Sequence, residues 1–245
     1  ARILLLPSAL EVNSFAHGQA ELIKFAIPAG NILDGLQIAE LRGKIETNIL
    51  VCGVERDGEV HIPSGDFILQ QGDVISVVAS RKIAREFLSH IGFETKQVKN
   101  TMIIGGGKAA YYLAKNLLDV GIDVKIIESN KERCEELSIL LPKAIIINGD
   151  GTDQELLREE GLPYVESFVP LTGIDEENII MALFAKQQGV KKIVAKVNED
   201  SRASMVEDMG IDSIVSVKSS TADVIMAYVR ARHNSIKSAN IETLY

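Results

Sequence analysis

Three glycines break an apolar run at Thr101-Met102-Ile103-Ile104-Gly105-Gly106-Gly107-Lys108-Ala109-Ala110, and their spacing suits phosphate chemistry. Gly105, Gly107 and Ala110 occupy the positions of a G-x-G-x-x-G/A motif. Gly105 permits a tight turn, Gly107 lets a pyrophosphate approach the backbone, and small Ala110 lets the following helix pack against the strand. Tyr111 to Leu118 continues at helical spacing, and the N-terminus of that helix offers unpaired N–H groups and a partial positive charge. A second strand, Asp123-Val124-Lys125-Ile126-Ile127-Glu128, ends in an acid 23 residues after Gly105. A ribose-binding acid is expected about 20 residues on. The pattern predicts a nucleotide pocket, with a purely structural strand–turn–helix unit as the alternative.

The elements that must position these groups come from residue 101 onward. Apolar strand-like runs begin near 101, 123, 144, 167, 192 and 213, with helical stretches between them. Such alternation predicts an α/β, Rossmann-like, doubly wound parallel sheet over 100–220. Residues 221–234 read as a further helix and the tail to Tyr245 is polar, so 221–245 forms a separate helix-and-tail segment. Residues 1–95 follow a different grammar, that of a small α+β module with a mostly antiparallel sheet. Ala20 to Pro28 and Asn48 to Glu55 read as strands, and Leu33 to Leu41 as a short helix. Asp57-Gly58 is a hairpin signal, and Pro63-Ser64-Gly65-Asp66 and Gln71-Gly72-Asp73 are turns. Val74 to Ala79 is a strand, and Arg81 to Ile91 an amphipathic helix stopped by Gly92. Residues 93–100 form a polar connector.

Composition narrows the function classes. The 245 residues suffice for one large or two ordinary domains, and 46% hydrophobic with 24% charged residues is the balance of a globular protein. A net charge of −8 argues against nucleic acid, which needs basic patches. Cys52 and Cys134 stand far apart, which predicts neither a disulfide nor a zinc site and suits a reducing compartment. The histidines at 17, 61, 90 and 233 show no ligand spacing, so no metal site is expected. No uncharged apolar run approaches the roughly 18 residues of a membrane span. The apolar start Ala1-Arg2-Ile3-Leu4-Leu5-Leu6 reads as a chain cut from something longer. Ser8-Ala9 with Phe15, and Ser238-Ala239 with Tyr245, form a faint echo that fits a tandem duplication of about 230 residues per unit.

Several residues carry a bland reading beside the functional one. Asp175, Glu176, Glu177 and Asn178 suit the start of a helix, where they would cap it and match its dipole. Lys108 reads as a solvated first-turn residue that contributes mainly its N–H. Asp150 either lies near the ligand or forms a turn. Tyr111 and Tyr112 are adjacent, so only one can face the sheet, and Cys52 reads as a small buried residue of its strand.

Taken together, five motifs of the second half resemble the nucleotide-binding N-terminal part of an RCK domain, as in TrkA-type potassium-uptake regulators. They are Ile104 to Ala110, Ile127-Glu128, Asn148-Gly149-Asp150-Gly151-Thr152, Leu171-Thr172-Gly173-Ile174-Asp175-Glu176-Glu177-Asn178 and Ile193-Val194-Ala195-Lys196-Val197. The first half resembles the RCK C-terminal subdomain, through Ala20-Glu21-Leu22, Arg56-Asp57-Gly58-Glu59, Pro63 to Asp66 and Gly72-Asp73. Residues 1–18 resemble the segment that joins those subdomains. The order, C-subdomain before N-subdomain, suits the middle of a protein with two RCK repeats.

The resemblance implies roles by position. Gly105, Gly106, Gly107, Lys108 and Ala109 would hold a pyrophosphate, and Glu128 the adenosine ribose hydroxyls. Asp150 would lie beside the adenine, and Thr172 and Gly173 would border the middle of the cofactor. Lys196 stands where the family usually has Arg; it keeps the charge but loses the planar fork, which implies a weaker phosphate contact. The implied ligand is NAD, as NAD+ or NADH, with ATP or ADP competing for the same surface.

By the same resemblance the chain would be a cytoplasmic regulatory subunit at the inner face of the membrane. Its partner would be a potassium transporter subunit, and it would gate transport through nucleotide-linked conformational change. It would also self-associate, as a dimer or tetramer, through helices around 213–235, where Ile225, Ala227, Tyr228 and Val229 are apolar. Two other classes stay open. An NAD-dependent oxidoreductase would need a positioned acid or base, and neither half supplies a recognisable constellation, so no catalytic residue is assigned. A non-catalytic Rossmann interaction domain would carry a dead pocket, against which intact Gly105, Gly107 and Glu128 argue.

Overall fold

The computed structural model describes residues 1–15, 19–45 and 48–199, and positions 209, 211, 213–216, 218, 221–222 and 225–226. The chain divides into two compact units, Ala1–Asn100 with Asp119–Ile122, and Thr101–Leu118 with Asp123–Tyr245.

The first unit contains α1 (Arg2–Leu5), β1 (Glu11–Phe15), β2 (Ala20–Ala26), α2 (Ile38–Ile45), β3 (Leu50–Arg56), β4 (Glu59–His61), β5 (Val74–Ala79) and α3 (Arg81–His90). The strands form one antiparallel sheet in the order β1-β2-β5-β3-β4. Side chains alternate across a strand, and β2 and β5 accordingly bury Ile23 and Phe25, and Ile75, Val77 and Ala79. Helix α3 begins at Ser80, whose Oγ accepts from the Ile83 N–H, and lays Ala84, Phe87 and Leu88 into the core. Phe25 meets the rings of Phe87 and Phe93 at 5.9 and 5.4 Å. The hairpin at Asp57-Gly58 has positive φ at both residues (52° and 78°), which matches the right-handed twist of the strands it joins.

Three expectations are corrected in this unit. The helix expected from Leu33 starts only at Ile38, because Asn31 turns the chain by accepting from the Leu33 N–H. Leu33 and Leu36 are buried from that turn rather than from a helix face. Strand β1 was not anticipated: Val12 is its buried apolar residue, and an edge strand shows little alternation. Cys52 is half-buried rather than enclosed, while Cys134 is buried, and both are free thiols.

The second unit contains β6 (Asn100–Ile104), α4 (Lys108–Asp119), β7 (Asp123–Glu128), α5 (Lys131–Leu140), β8 (Ile145–Asn148) and α6 (Gln154–Glu159). It continues with β9 (Ser167–Pro170), α7 (Asp175–Gln187), β10 (Lys192–Lys196) and β11 (Ser213–Val215). The sheet is parallel in the order β11-β10-β9-β6-β7-β8, a doubly wound Rossmann-like arrangement. The order reverses between β6 and β9, and the crevice at the carboxyl ends of those strands is where such sheets bind ligands. The six strands coincide with the six apolar runs read from the sequence. The helix expected over 221–234, with Ala227, Tyr228 and Val229, lies largely outside the described residues, as does the polar tail.

Candidate functional site

The end of β6 sets the site. Gly105 has φ +92°, and a Cβ there would lie 3.3 Å from the Leu171 carbonyl, so both conformation and space require glycine. At Gly106 a Cβ would run into Leu137 Cδ1, at 2.6 Å, and into the Glu128 side chain. Gly107 differs, since a Cβ there would meet nothing within 4 Å. Its open side keeps the backbone accessible just before α4, whose first turn is closed by the Tyr111 N–H donating to the Gly107 carbonyl at 3.0 Å. Ala110 is buried, as its packing role requires.

Glu128, the last residue of β7, reaches back to this turn. Its Oε2 accepts from the Gly106 N–H, and its Oε1 accepts from the Asn130 N–H at 2.8 Å. The turn is braced again by Arg133 of α5, whose Nε donates to the Gly106 carbonyl at 2.6 Å. On the neighbouring strand, Asn148 Nδ2 donates to the carbonyls of Glu128 and Ser129, at 3.0 and 2.9 Å. Asn148 and Arg133 were not singled out for these roles. Reading sequence alone, neither spacing nor charge pairs Arg133 with a glycine 27 residues earlier.

Asp150 is exposed and closes the turn after β8. Its Oδ1 accepts from the Thr152 N–H at 2.9 Å and from Thr152 Oγ1 at 2.8 Å. Those two bonds, the backbone one foremost, outweigh its slight desolvation and hold the carboxyl below the usual aspartate range. The residue is thus a turn-former and also faces the cleft.

At the end of β9 the rim of the cleft is Thr172-Gly173. Asn178, fully buried in α7, accepts at Oδ1 from the Thr172 N–H and Oγ1, both at 2.9 Å. Its Nδ2 donates to the carbonyls of Thr172 and Lys196, at 3.3 and 3.0 Å. Lys196 Nζ donates to the same Thr172 carbonyl at 2.8 Å. Asp175, also buried, accepts from the backbone N–H groups of Asn198 and Glu199. These two residues begin α7 but use their side chains to tie it to the end of β10, and Ile174 at the N-cap makes no side-chain capping bond.

The result is an open cleft of about 300 Å³ at the reversal of strand order, a size that suits small-molecule ligands. Gly105, Gly106, Gly107, Glu128, Asp150, Thr172 and Gly173 line it together, with Gly151, Thr152 and Glu177 beside them. Lys108, Ala109 and Lys196 do not line it: the first two are exposed on the opening turn of α4, and Lys196 is committed to Thr172. Tyr112 is exposed and Tyr111 half-buried, their rings 5.1 Å apart. The cleft combines amide donors at a helix N-terminus, suited to phosphate, with carboxylate acceptors, suited to a ribose diol. The donor and acceptor set is of the kind that suits a nucleotide. Among the described residues no group of three or more His, Cys, Asp or Glu could hold a metal, and no helix is long and apolar enough to cross a membrane.

Comparison with known proteins agrees with this division. The TrkA-C domain family matches residues 22–92 and the TrkA-N domain family matches 101–217. A Trk system potassium uptake protein TrkA homolog 2 of Methanosarcina mazei is 33% identical over 227 residues, 92% of this chain and 50% of that protein. The Trk system potassium uptake protein TrkA of Vibrio alginolyticus is 33% identical over 230 residues, 94% of this chain and 50% of its own length. The chain therefore spans about half the length of the curated relatives it matches. Among solved structures, the GsuK channel bound to NAD has the same fold at a TM-score of 0.66 and 19% identity, covering 97% of this chain and 43% of the channel. The crystal structure of the GsuK RCK domain aligns at a TM-score of 0.64 and 20% identity, over 94% of this chain and 49% of that one. The chain thus carries a TrkA-C domain followed by a TrkA-N domain, the order found in the TrkA relatives it matches.

Proposed function

We propose that this chain is a nucleotide-sensing regulatory part of a potassium uptake system, and that its ligand is NAD(H), with ATP and ADP competing for the same cleft. In this reading the glycine turn leaves room for the diphosphate, which the backbone N–H groups of Gly107, Lys108 and Ala109 at the start of α4 receive, the N–H groups of Gly105 and Gly106 being spent on Ile127 and Glu128. Glu128 receives the adenosine ribose hydroxyls, and Asp150 lies beside the adenine. Lys196 acts on Thr172 rather than on phosphate. The observation that carries the reading is the open face of Gly107 beside Glu128, at the strand-order reversal. The names of the Methanosarcina and Vibrio relatives, potassium uptake proteins, support the transport role. Regulation is linkage: a ligand shifts a conformational equilibrium by no more than its differential affinity for the two states, and the partner that feels the shift is a membrane potassium transporter subunit. The protein works at the cytoplasmic face of the membrane as a homo-oligomer.

Gly107→Val tests the assignment with little disturbance to the fold, because a side chain there enters open space. Calorimetric titration of the unsubstituted protein with NAD, ADP and ATP is expected to show saturable binding, abolished by Gly107→Val at an unchanged thermal midpoint. Absence of binding to all three nucleotides overturns the proposal. Steady NAD reduction with a panel of alcohols and hydroxy acids, lost in Gly107→Val, would reassign the chain to the oxidoreductases.

A further inference from the structure

We infer that Asn178, together with Lys196, is a positioning device for the Thr172-Gly173 rim, and that it sets the affinity of the cleft for ligands extending beyond a diphosphate. The inference rests on the nucleotide reading of the cleft given above. An Asn side chain has two donor hydrogens and an acceptor oxygen with two lone pairs. All four capacities of Asn178 are used, and three of the four bonds fall on a single residue, Thr172: its N–H, its hydroxyl and its carbonyl. The fourth reaches the Lys196 carbonyl, and Lys196 returns its own Nζ to Thr172. The Thr172 peptide is thus held from two elements, α7 and β10. On its other side it lies against the glycine turn, where a Cβ at Gly105 would come within 3.4 Å of the Thr172 nitrogen.

A helix start needs none of this. Residues that cap a helix direct their oxygen at the N–H groups of its own first turn, whereas Asn178 is fully buried and spends its amide on the loop before the helix. A fully satisfied buried amide has one favoured arrangement, because any displacement leaves a desolvated donor or acceptor unpaired. That rigidity is delivered to the rim, and Gly173 beyond it has open space around its Cα. With adenosine at Glu128 and Asp150 and a diphosphate on the glycine turn, ADP ends before the rim. A dinucleotide carries a second riboside that must pass it. The Lys196 ammonium, fixed on the Thr172 carbonyl, holds this edge instead of meeting the diphosphate.

The test is the split between NAD and ADP, since a residue that only stabilises the fold would weaken both alike. Calorimetric titrations of the full chain with each nucleotide, on the unsubstituted protein and on Asn178→Ala and Lys196→Met, are read as the NAD-to-ADP affinity ratio. Losing one buried hydrogen-bond partner corresponds to roughly a tenfold change, so Asn178→Ala is expected to weaken NAD about tenfold while ADP moves by less than about twofold. Lys196→Met keeps the buried amide and should shift the ratio in the same direction by about threefold. If Asn178→Ala does not fold, the Lys196→Met ratio decides. Equal losses for both nucleotides, or no loss for NAD, overturn the inference while leaving the site in place. Failure of the unsubstituted protein to bind either nucleotide removes the site and the inference with it.

Discussion

The two units use the same side-chain types to opposite ends. In the antiparallel unit the buried carboxylates are neutralised by arginine. Arg56 grips Asp73 through Nε and a terminal nitrogen, each at 2.7 Å, donates also to the Ile68 carbonyl and lies over the Phe67 ring. Asp73 further accepts from the Gln70 N–H, so one ion pair ties the turn before β5 to β3. Arg81 likewise meets the buried Glu21 at 2.9 Å. In the parallel unit the carboxylates of Glu128 and Asp150 accept backbone N–H groups and have no lysine or arginine ion-pair partner among the described residues. Charge that is paired inside a fold is committed to that fold, since removing one partner strands the other. Charge held by amides at the mouth of a cleft keeps acceptor capacity for hydroxyl groups. The first arrangement carries stability; under the proposed function the second carries recognition.

The largest expected effect tests the stability side. Asp73 has no exposed side-chain surface, and Asp73→Ala leaves the Arg56 guanidinium without its bidentate partner, a class of change that costs about 3–5 kcal/mol. Denaturant titration should show that loss in the first unit, while nucleotide affinity of the second stays unchanged. A pH dependence accompanies it. Burial alone would raise the Asp73 carboxyl, but its hydrogen bonds to Arg56 and Gln70, and the Arg56 charge, outweigh burial and hold it below the usual range. The folded state therefore favours the ionised form. Its contribution is fully present above the ordinary aspartate value of about 3.9 and is lost as pH falls through the depressed folded value. Unfolding midpoints of the unsubstituted protein should drop below about pH 4, and Asp73→Ala should lack that part of the acid sensitivity. A variant as stable as the parent, with the same acid profile, would make the pair a bystander.

On the recognition side the expected effect is smaller. Glu128→Ala removes a charged acceptor from the proposed ribose position, a change expected to cost roughly 1.5–3 kcal/mol, or tenfold to a hundredfold in affinity. NAD, ADP and ATP share that ribose and should weaken alike. NADP should improve relative to NAD, because a 2′-phosphate no longer meets a like charge. The Gly106 N–H also loses its acceptor, so part of the loss would come through the glycine turn. Titration with NAD and NADP separates the two parts, since only direct repulsion changes their ratio. Unchanged affinity for every nucleotide would remove Glu128 from the site.

What the sequence made legible follows the range of the interactions. The parallel strands are short apolar runs: β6, β9 and β10 are buried at nearly every position, β9 at all of them, and only the edge strand β8 has no buried residue. Such runs announce themselves without knowledge of their neighbours. Gly105 and Glu128 are legible because a motif fixes their spacing. Edge strand β1 was not, because Val12 alone gives it an inward side chain that the described residues show to be buried. Asn178 was visible as a residue of a helix start, but its hold on the loop was not: its partners, Thr172 and Lys196, lie six residues before it and 18 after it, and only the sheet brings them together. Arg133 escaped for the same reason. Contacts within one turn can be read from spacing, and contacts through the sheet need the strand order.

The smallest effect sharpens the comparison from within a single strand. Strand β6 opens the cleft at Gly105, yet near its other end it buries Thr101, whose Oγ1 has no hydrogen-bond partner among the described residues. An unpartnered buried hydroxyl costs about 1–3 kcal/mol in desolvation, and replacing it by a methyl of the same shape removes that cost without opening a cavity. Backbone pairing of Thr101 with Ser167 on β9 does not involve the hydroxyl and should survive. Thr101→Val is therefore expected to stabilise the parallel unit by about 1 kcal/mol, a rise of roughly 2–4 °C in its thermal midpoint. Nucleotide affinity should not change, because the substitution lies at the opposite end of the strand from the glycine turn. Calorimetry with and without NAD checks both halves. A lower midpoint would mean that the hydroxyl has a partner in solution, and an altered NAD affinity would mean that strand β6 transmits strain to the cleft, so that stability and recognition are not separable within this unit.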